Sequence, residues 1–301
     1  MDEGAAVQLA AGDLRAEIRP DCGGSLGGFW SQTPAGTTDW MRRARPDAAD
    51  ARGMACYPLV PFSNRIREGR FTFLDREIVL PLNYAPHPHV IHGHGWQAAW
   101  QVAERTGHTA VLHYRHAADA WPWTYLAEQR FALDAATLTI AISVTNLDDT
   151  PMPAGIGLHP YFPRHPGGRL SASVGGLWRS DDEVMPTDLV PADTVWPAGA
   201  PLIADEQPLD NCFTAWGKRL AIDWPGSDRG DARHLSLEAS GPLDFLIVFT
   251  PPGASFFCAE PVSHCIDAFN LARTRDDTGM VALGPGETLS GEVVFRPGRA
   301  R

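Results

Sequence analysis

Apolar and polar residues alternate with a period of two along most of this chain, the pattern that puts every second side chain of an extended strand on one face. The alternation, rich in β-branched and aromatic residues, predicts strands at Leu14 to Arg19, Trp100 to Arg105, Thr109 to Arg115, Tyr125 to Leu133 and Thr137 to Asn146. Arg70 to Leu74 and Glu77 to Leu80 read as a hairpin. Further strands are expected at Leu170 to Val174, Leu220 to Trp224, Leu235 to Ala239, Phe245 to Thr250 and Leu289 to Phe295. They recur at a spacing of about ten residues with Gly, Pro, Asp or Asn at the breaks, as antiparallel sandwiches and barrels require. Helical signals are scarce. Arg43 to Arg52 is a candidate, but Pro46 and the lack of an apolar stripe make it equally a loop.

Length and composition fit this all-β reading. The 301 residues are 44% hydrophobic and 20% charged, enough for a large core, and the 29 glycines and 26 prolines are spread along the chain rather than gathered into a linker. No fixed-period repeat appears, so residues 1–301 are read as one β domain. The formal net charge of -11 comes with scattered basic residues, which argues against a nucleic-acid or anionic-membrane partner and suits a neutral ligand. The N-terminus is acidic and no apolar run approaches a membrane span, so a cytoplasmic protein is expected. The five cysteines, an odd number without a C-x-x-C pair, are read as reduced and mostly buried. Nothing in the pattern separates a monomer from a homodimer.

Several motifs fail for lack of context. Gly23-Gly24-Ser25-Leu26-Gly27 has the spacing of a nucleophile elbow, but Gly28-Phe29-Trp30 follows where a helix is needed, so it reads as a hairpin turn. His87, His89, His92 and His94 alternate as strand-borne ligands would, yet the next acidic residue is Glu104; no metal is expected there. The single lysine, Lys218, sits in an apparent turn, and no phosphate-binding glycine loop occurs, so no cofactor is expected.

Five polar segments stand out instead. They are Tyr57-Pro58-Leu59-Val60-Pro61-Phe62-Ser63-Asn64-Arg65-Ile66, Ile91-His92-Gly93-His94-Gly95-Trp96, Gly157-Leu158-His159-Pro160-Tyr161-Phe162, Leu209-Asp210-Asn211-Cys212-Phe213, and Glu260-Pro261-Val262-Ser263-His264 running to Asn270. Glu260 closes an apolar run, and a carboxylate there is costly to bury unless paired or working. His159, flanked by Gly155, Gly157 and Pro160, reads as a loop-rim residue, or as a buried histidine bonded to a carbonyl. Arg65 is equally able to hold a ligand hydroxyl or to tie loops through a carboxylate, and Asp210 to cap a turn.

Taken in order, these segments resemble the aldose 1-epimerase (galactose mutarotase) family from about Gly23 to Phe295, with Ala120-Trp121-Pro122-Trp123 as a further shared feature. The resemblance implies a large antiparallel β-sandwich of the galactose mutarotase-like super-sandwich type, a small-molecule sugar substrate, and interconversion of sugar anomers without metal or cofactor. On that pattern Glu260 aligns with the catalytic base and His159 with the catalytic acid. His92, Asp210 and Arg65, with Asn64 beside it, align with residues that hold the sugar, and Trp96 would offer it an apolar face. Departures are Asn211, where many relatives carry histidine, and His94, where a small residue is common. A phosphosugar-specific branch uses extra arginines, for which Arg67, Arg164 and Arg179 are candidates; a non-catalytic sugar sensor would use Trp96, Trp121 and Trp123 as stacking platforms.

Overall fold

A computed structural model describes residues 6–45, 48–203, 207–226 and 232–299. The alternating segments form two large sheets in which every strand pairing is antiparallel. The nine-stranded sheet runs Gln101–Arg105, Thr109–His116, Tyr125–Leu133, Leu138–Asn146, Thr288–Arg299, Arg233–Ser240, Arg219–Trp224, Arg169–Ala172 and Leu202–Ile203. Its middle strands alternate between buried positions and half-buried or exposed ones, so Phe131, Ile140, Ile142, Val144, Val293 and Phe295 stack on one face as the core. Burial of each large apolar side chain contributes about 1.5–3 kcal/mol, which is why this register is held firmly.

The eleven-stranded sheet runs Val7–Ala11, Leu14–Arg19, Ser25–Thr33, Cys56–Leu59, Gly157–Pro163, Phe256–Val262, Phe245–Phe249, Asp210–Thr214, Gly176–Ser180 and Pro186–Pro191, with Gly36–Asp39 paired to Ser25–Thr33. Its central strands are buried on both faces. Pro58, Pro160 and Pro261 sit inside them, which hides them from period-two reading. Between the Gly157–Pro163 and Phe256–Val262 strands the ladder is formed at Gly157↔Val262 and Tyr161↔Cys258 and interrupted in between, where Pro160 and Pro261 bring no N–H. That register sets position 159 opposite position 260. His159 therefore lies within a central strand and not on a loop rim.

Among the described residues the one α-helix is Ala268–Leu271. Of the Arg43 to Arg52 candidate, Pro46 and Asp47 lie outside the described residues, and a single 3₁₀ turn, Ala51–Gly53, begins where Asp50 Oδ1 accepts from the Arg52 N–H. Gly23 and Gly24 form the turn expected of the glycine-rich motif, with φ of +68° and +60°, and Ser25 starts the return strand fully buried. Lys218 lies in an exposed turn held by Asp244 at 2.7 Å. The five cysteines are free, four of them buried. Among the described residues no helix is long and apolar enough to cross a membrane.

Candidate active site

Alternation along the central strands puts Tyr57, His159, Tyr161, Cys258, Glu260 and Asp210 on one face of the large sheet, while Leu158, Phe162, Phe257 and Ala259 point to the other and join the core. The five polar segments meet on that first face. His159 Nε2 lies 3.2 Å from Glu260 Oε1, and both side chains are nearly closed off from solvent, at 7% and 3% exposure. Glu260 Oε2 and His159 Nδ1 are buried without a hydrogen-bond partner. A buried carboxylate oxygen left open in this way is costly, and a ligand hydroxyl would satisfy it.

The imidazole of His159 packs against two rings. Tyr57, its cross-strand neighbour, stacks at 4.4 Å, Tyr161, two residues on along the same strand, stacks at 4.7 Å, and the two tyrosine rings are themselves 6.1 Å apart. Arg42 covers the outer face of Tyr161, its Cζ 3.7 Å from the ring centroid, and donates to the Met54 and Arg52 carbonyls. Sequence reasoning passed over Tyr57, Tyr161, Cys258 and Arg42. Tyr161 and Cys258 stand two residues from His159 and Glu260, so a correct strand assignment would have placed them on this face; Tyr57 needs the register as well.

A second cluster closes the site from the loops. Asn64 and His92 both adopt left-handed backbone, with φ of +52° and +61°. They bond reciprocally: the Asn64 N–H donates to His92 Nδ1 at 3.0 Å and the His92 N–H donates to the Asn64 carbonyl at 2.9 Å. Because Nδ1 accepts, Nε2 carries the ring proton and is a donor. Gly93 next to it is required by space, since a Cβ there would meet the Val60 carbonyl oxygen at 2.1 Å. The Asn64 side-chain oxygen receives the Arg65 N–H and Nη1, and Arg65 Nη2 bonds Asp210 Oδ2 at 3.0 Å. Arg65 thus ties two loops together and also presents a half-buried guanidinium to the pocket. Trp96 is almost wholly buried behind this cluster, its ring 5.8 Å from Tyr57 and 6.2 Å from His92.

Other sequence candidates lie outside it. Asn211 faces away and donates to the Trp178 carbonyl. Arg67 is engaged by Asp181 at 3.6 Å and Asp267 at 3.9 Å. Trp121 and Trp123 are buried in the core and offer no stacking surface. The alternating histidines do not share a strand face: His87 meets Arg65, His89 accepts from the Glu68 N–H, and His94 stacks on His116. A separate cavity of about 840 Å³, walled by Arg169, Asp223, Trp224 and His234, contains none of the site residues.

Burial governs the electrostatics. It pushes the Glu260 carboxyl well above the usual carboxylate range, helped by the charge of Asp210 and opposed by Arg65. It drives His159 down to about 3, with Arg42 and Arg65 adding to the effect, and takes His92 well below the ordinary imidazole range. The His159–Glu260 couple therefore holds one proton across a wide span of pH, and moving it across the 3.2 Å gap creates a carboxylate and an imidazolium together.

The chain is a two-sheet antiparallel sandwich with a buried Glu/His couple and a polar, ion-paired rim. Comparison with known proteins narrows this: residues 6–296 match the model of the aldose 1-epimerase family, to which the chain belongs. It is 32% identical over 296 residues to the Escherichia coli K12 protein YphB, named as uncharacterized, covering 96% of this chain and 97% of YphB. The crystal structure of a candidate aldose 1-epimerase from E. coli K12 superposes with a TM-score of 0.87 at 29% identity, over 98% of this chain and 99% of that one. A galactose mutarotase-like protein from Clostridium acetobutylicum shares the fold, with a TM-score of 0.83 at 20% identity over 98% and 95% of the two chains. The fold is thus the galactose mutarotase-like sandwich.

Proposed function

We propose that this protein is an aldose 1-epimerase that interconverts the α and β anomers of a free aldose by opening and reclosing the ring. The observation that carries the reading is the contact between His159 and Glu260, two buried titratable groups 3.2 Å apart with an open oxygen on Glu260. Ring opening of a cyclic hemiacetal takes the proton from O1 and delivers one to the ring oxygen. In its carboxylate form Glu260 accepts the O1 proton; His159, as the imidazolium, donates to the ring oxygen, the C1–O5 bond breaks and C1 becomes an aldehyde. Rotation about C1–C2 turns the other carbonyl face toward the oxygen on C5. For closure the pair exchanges roles: His159 takes the proton back from that hydroxyl as the C1–O5 bond reforms, and Glu260 returns its proton to O1. The proton count of the couple is unchanged over the cycle.

The remaining groups suit a neutral sugar. His92 Nε2–H and the Arg65 guanidinium donate, Asp210 and Glu260 accept, and together they match hydroxyls that are both donors and acceptors. Tyr57 and Tyr161 hold the His159 ring in place. Of the arginines considered for a sugar phosphate, Arg67 faces Asp181 and Asp267, and Arg164 donates to the Pro251 carbonyl. Polarimetry on freshly dissolved α-glucose and α-galactose tests the proposal. Catalytic protein accelerates the approach to anomeric equilibrium; absence of acceleration across a panel of free aldoses overturns it.

A further inference from the structure

Two groups of convergent metal-type donors occur among the described residues. One is the His159–Glu260 couple with Cys258. The other, His94 with His116 and Asp119, belongs to no part of the sugar-handling machinery. We propose that His94, His116 and Asp119 form a binding site for one zinc-class divalent cation, separate from the sugar pocket.

The three ligand atoms lie within 4.8 Å of one another. His116 Nε2 and Asp119 Oδ1 are 3.3 Å apart, close to the roughly 3.4 Å that separates two ligands each about 2.1 Å from a tetrahedral ion. Both imidazoles are backed on the far side as metal-bound histidines are: Tyr125 Oη lies 3.3 Å from His94 Nδ1 and Tyr114 Oη 3.3 Å from His116 Nδ1. Nε2 is then the ligating atom of each ring; at His116 it lies 3.4 Å from the Trp121 carbonyl, a contact that an ion would displace, leaving the ring proton on Nδ1 toward Tyr114 Oη. Asp119 is aimed by its own turn, its Oδ1 receiving the Trp121 N–H at 2.8 Å. The two rings stack at 4.5 Å, nearly parallel at 6°, which keeps them adjacent but leaves their in-plane lone pairs parallel. Ligation therefore requires the His94 ring to turn so that its lone pair meets that of His116 at the ion. Burial is graded, with Asp119 exposed, His94 half-buried and His116 buried, which gives an entry path from solvent.

Donor chemistry selects the ion. Two imidazoles and one carboxylate suit zinc, cobalt or nickel, whereas magnesium and calcium prefer oxygen alone. The histidine run 87–94 lacks a third ligand in sequence; the fold supplies both missing partners from the end of the Thr109–His116 strand and the turn that follows it. Such an ion would pin that turn to the segment carrying His92, two residues before His94.

Titration of the chelator-stripped full-length protein with Zn²⁺ by calorimetry, and with Co²⁺ by visible absorption, tests the site. One equivalent is expected to bind, with a rise of several degrees in melting temperature at a hundredfold excess over Kd. His94→Ala and Asp119→Asn, at half-buried and exposed positions, are each expected to weaken binding at least tenfold while melting as the wild type does in chelator. Cys258→Ser is expected to leave affinity unchanged. The proposal is overturned if the wild type binds no ion, if His94→Ala and Asp119→Asn bind as the wild type does, or if Cys258→Ser alone abolishes binding and a thiolate charge-transfer band marks the other cluster. None of these readouts uses sugar turnover, so failure here leaves the epimerase reading standing, and the converse holds.

Discussion

The strands Tyr125–Leu133 and Leu138–Asn146 and the strands Gly157–Pro163 and Phe256–Val262 are adjacent antiparallel pairs in one molecule, yet they are built on different terms. The first pair alternates buried residues with half-buried or exposed ones without a break, contains no proline, and hydrogen-bonds along its full length. The second is buried on both faces, carries Pro160 and Pro261, and loses its ladder around the His159–Glu260 couple. The first pair is organised for stability. The second gives up backbone pairing and buries titratable groups at a cost, and it gains a face on which a proton can be exchanged away from water.

The contrast is tested most severely by Glu260→Gln. Loss of the acid–base group is expected to slow anomer exchange by about 10³- to 10⁴-fold, or about 4–5.5 kcal/mol in the barrier, while the melting temperature at pH 7 stays level or rises because a buried ionisable group has been removed. A parallel drop in activity and thermal stability would erase the distinction. The opposite profile is expected of Phe295→Ala, a fully buried residue paired with Leu138 and Leu237. Denaturant unfolding should report a loss of about 3–5 kcal/mol, with turnover per folded molecule unchanged.

Acid sharpens the comparison further. His159 is held near 3, His94 and His264 near 4, and His92 well below the ordinary imidazole range, each chiefly by burial, whereas the regular strand pair contains no histidine. Unfolding frees these imidazoles to take up protons from about pH 6.5 downward, so each removes about 1.4 kcal/mol per pH unit as the pH falls toward its folded value. Glu260 has the opposite sign: its raised value gives stability that is present below about pH 4.5 and lost as the pH climbs through the folded pKa. Four imidazoles outweigh one carboxyl, so melting temperature should fall on acidification from pH 6.5 to 5. Turnover over the same interval should stay level, because the couple keeps its single proton. An acid limb with a midpoint near 6.5 in the rate profile would contradict that. The smallest effect is expected on the outer face of the regular pair, where Ser143→Ala should shift stability by less than about 0.5 kcal/mol and leave turnover alone.

The same contrast explains what the sequence made readable. Tyr125–Leu133 was recovered residue for residue because a sheet with one buried face writes its period into the chain. Cys56–Leu59 and Gly157–Pro163 left no such trace, since burial on both faces removes the period and proline argues against a central strand. Glu260 and His159 stood out chemically, and the fold brings them into contact, with Arg65, Asp210, Asn64 and His92 around them. The stacking of Tyr57 on His159 was invisible without register, as was the pairing of His94 with His116.

The link between positions 64 and 92 has a consequence for how this pocket can diverge. The donor that fixes the His92 tautomer is a main-chain N–H, which every amino acid except proline supplies. A new side chain at 64 can therefore alter what that corner of the cavity touches, and the neighbouring imidazole still presents its proton inward. The His92 tautomer is thus insulated from the identity of residue 64, whereas Arg65 is not, because its N–H and Nη1 both donate to the Asn64 side-chain oxygen.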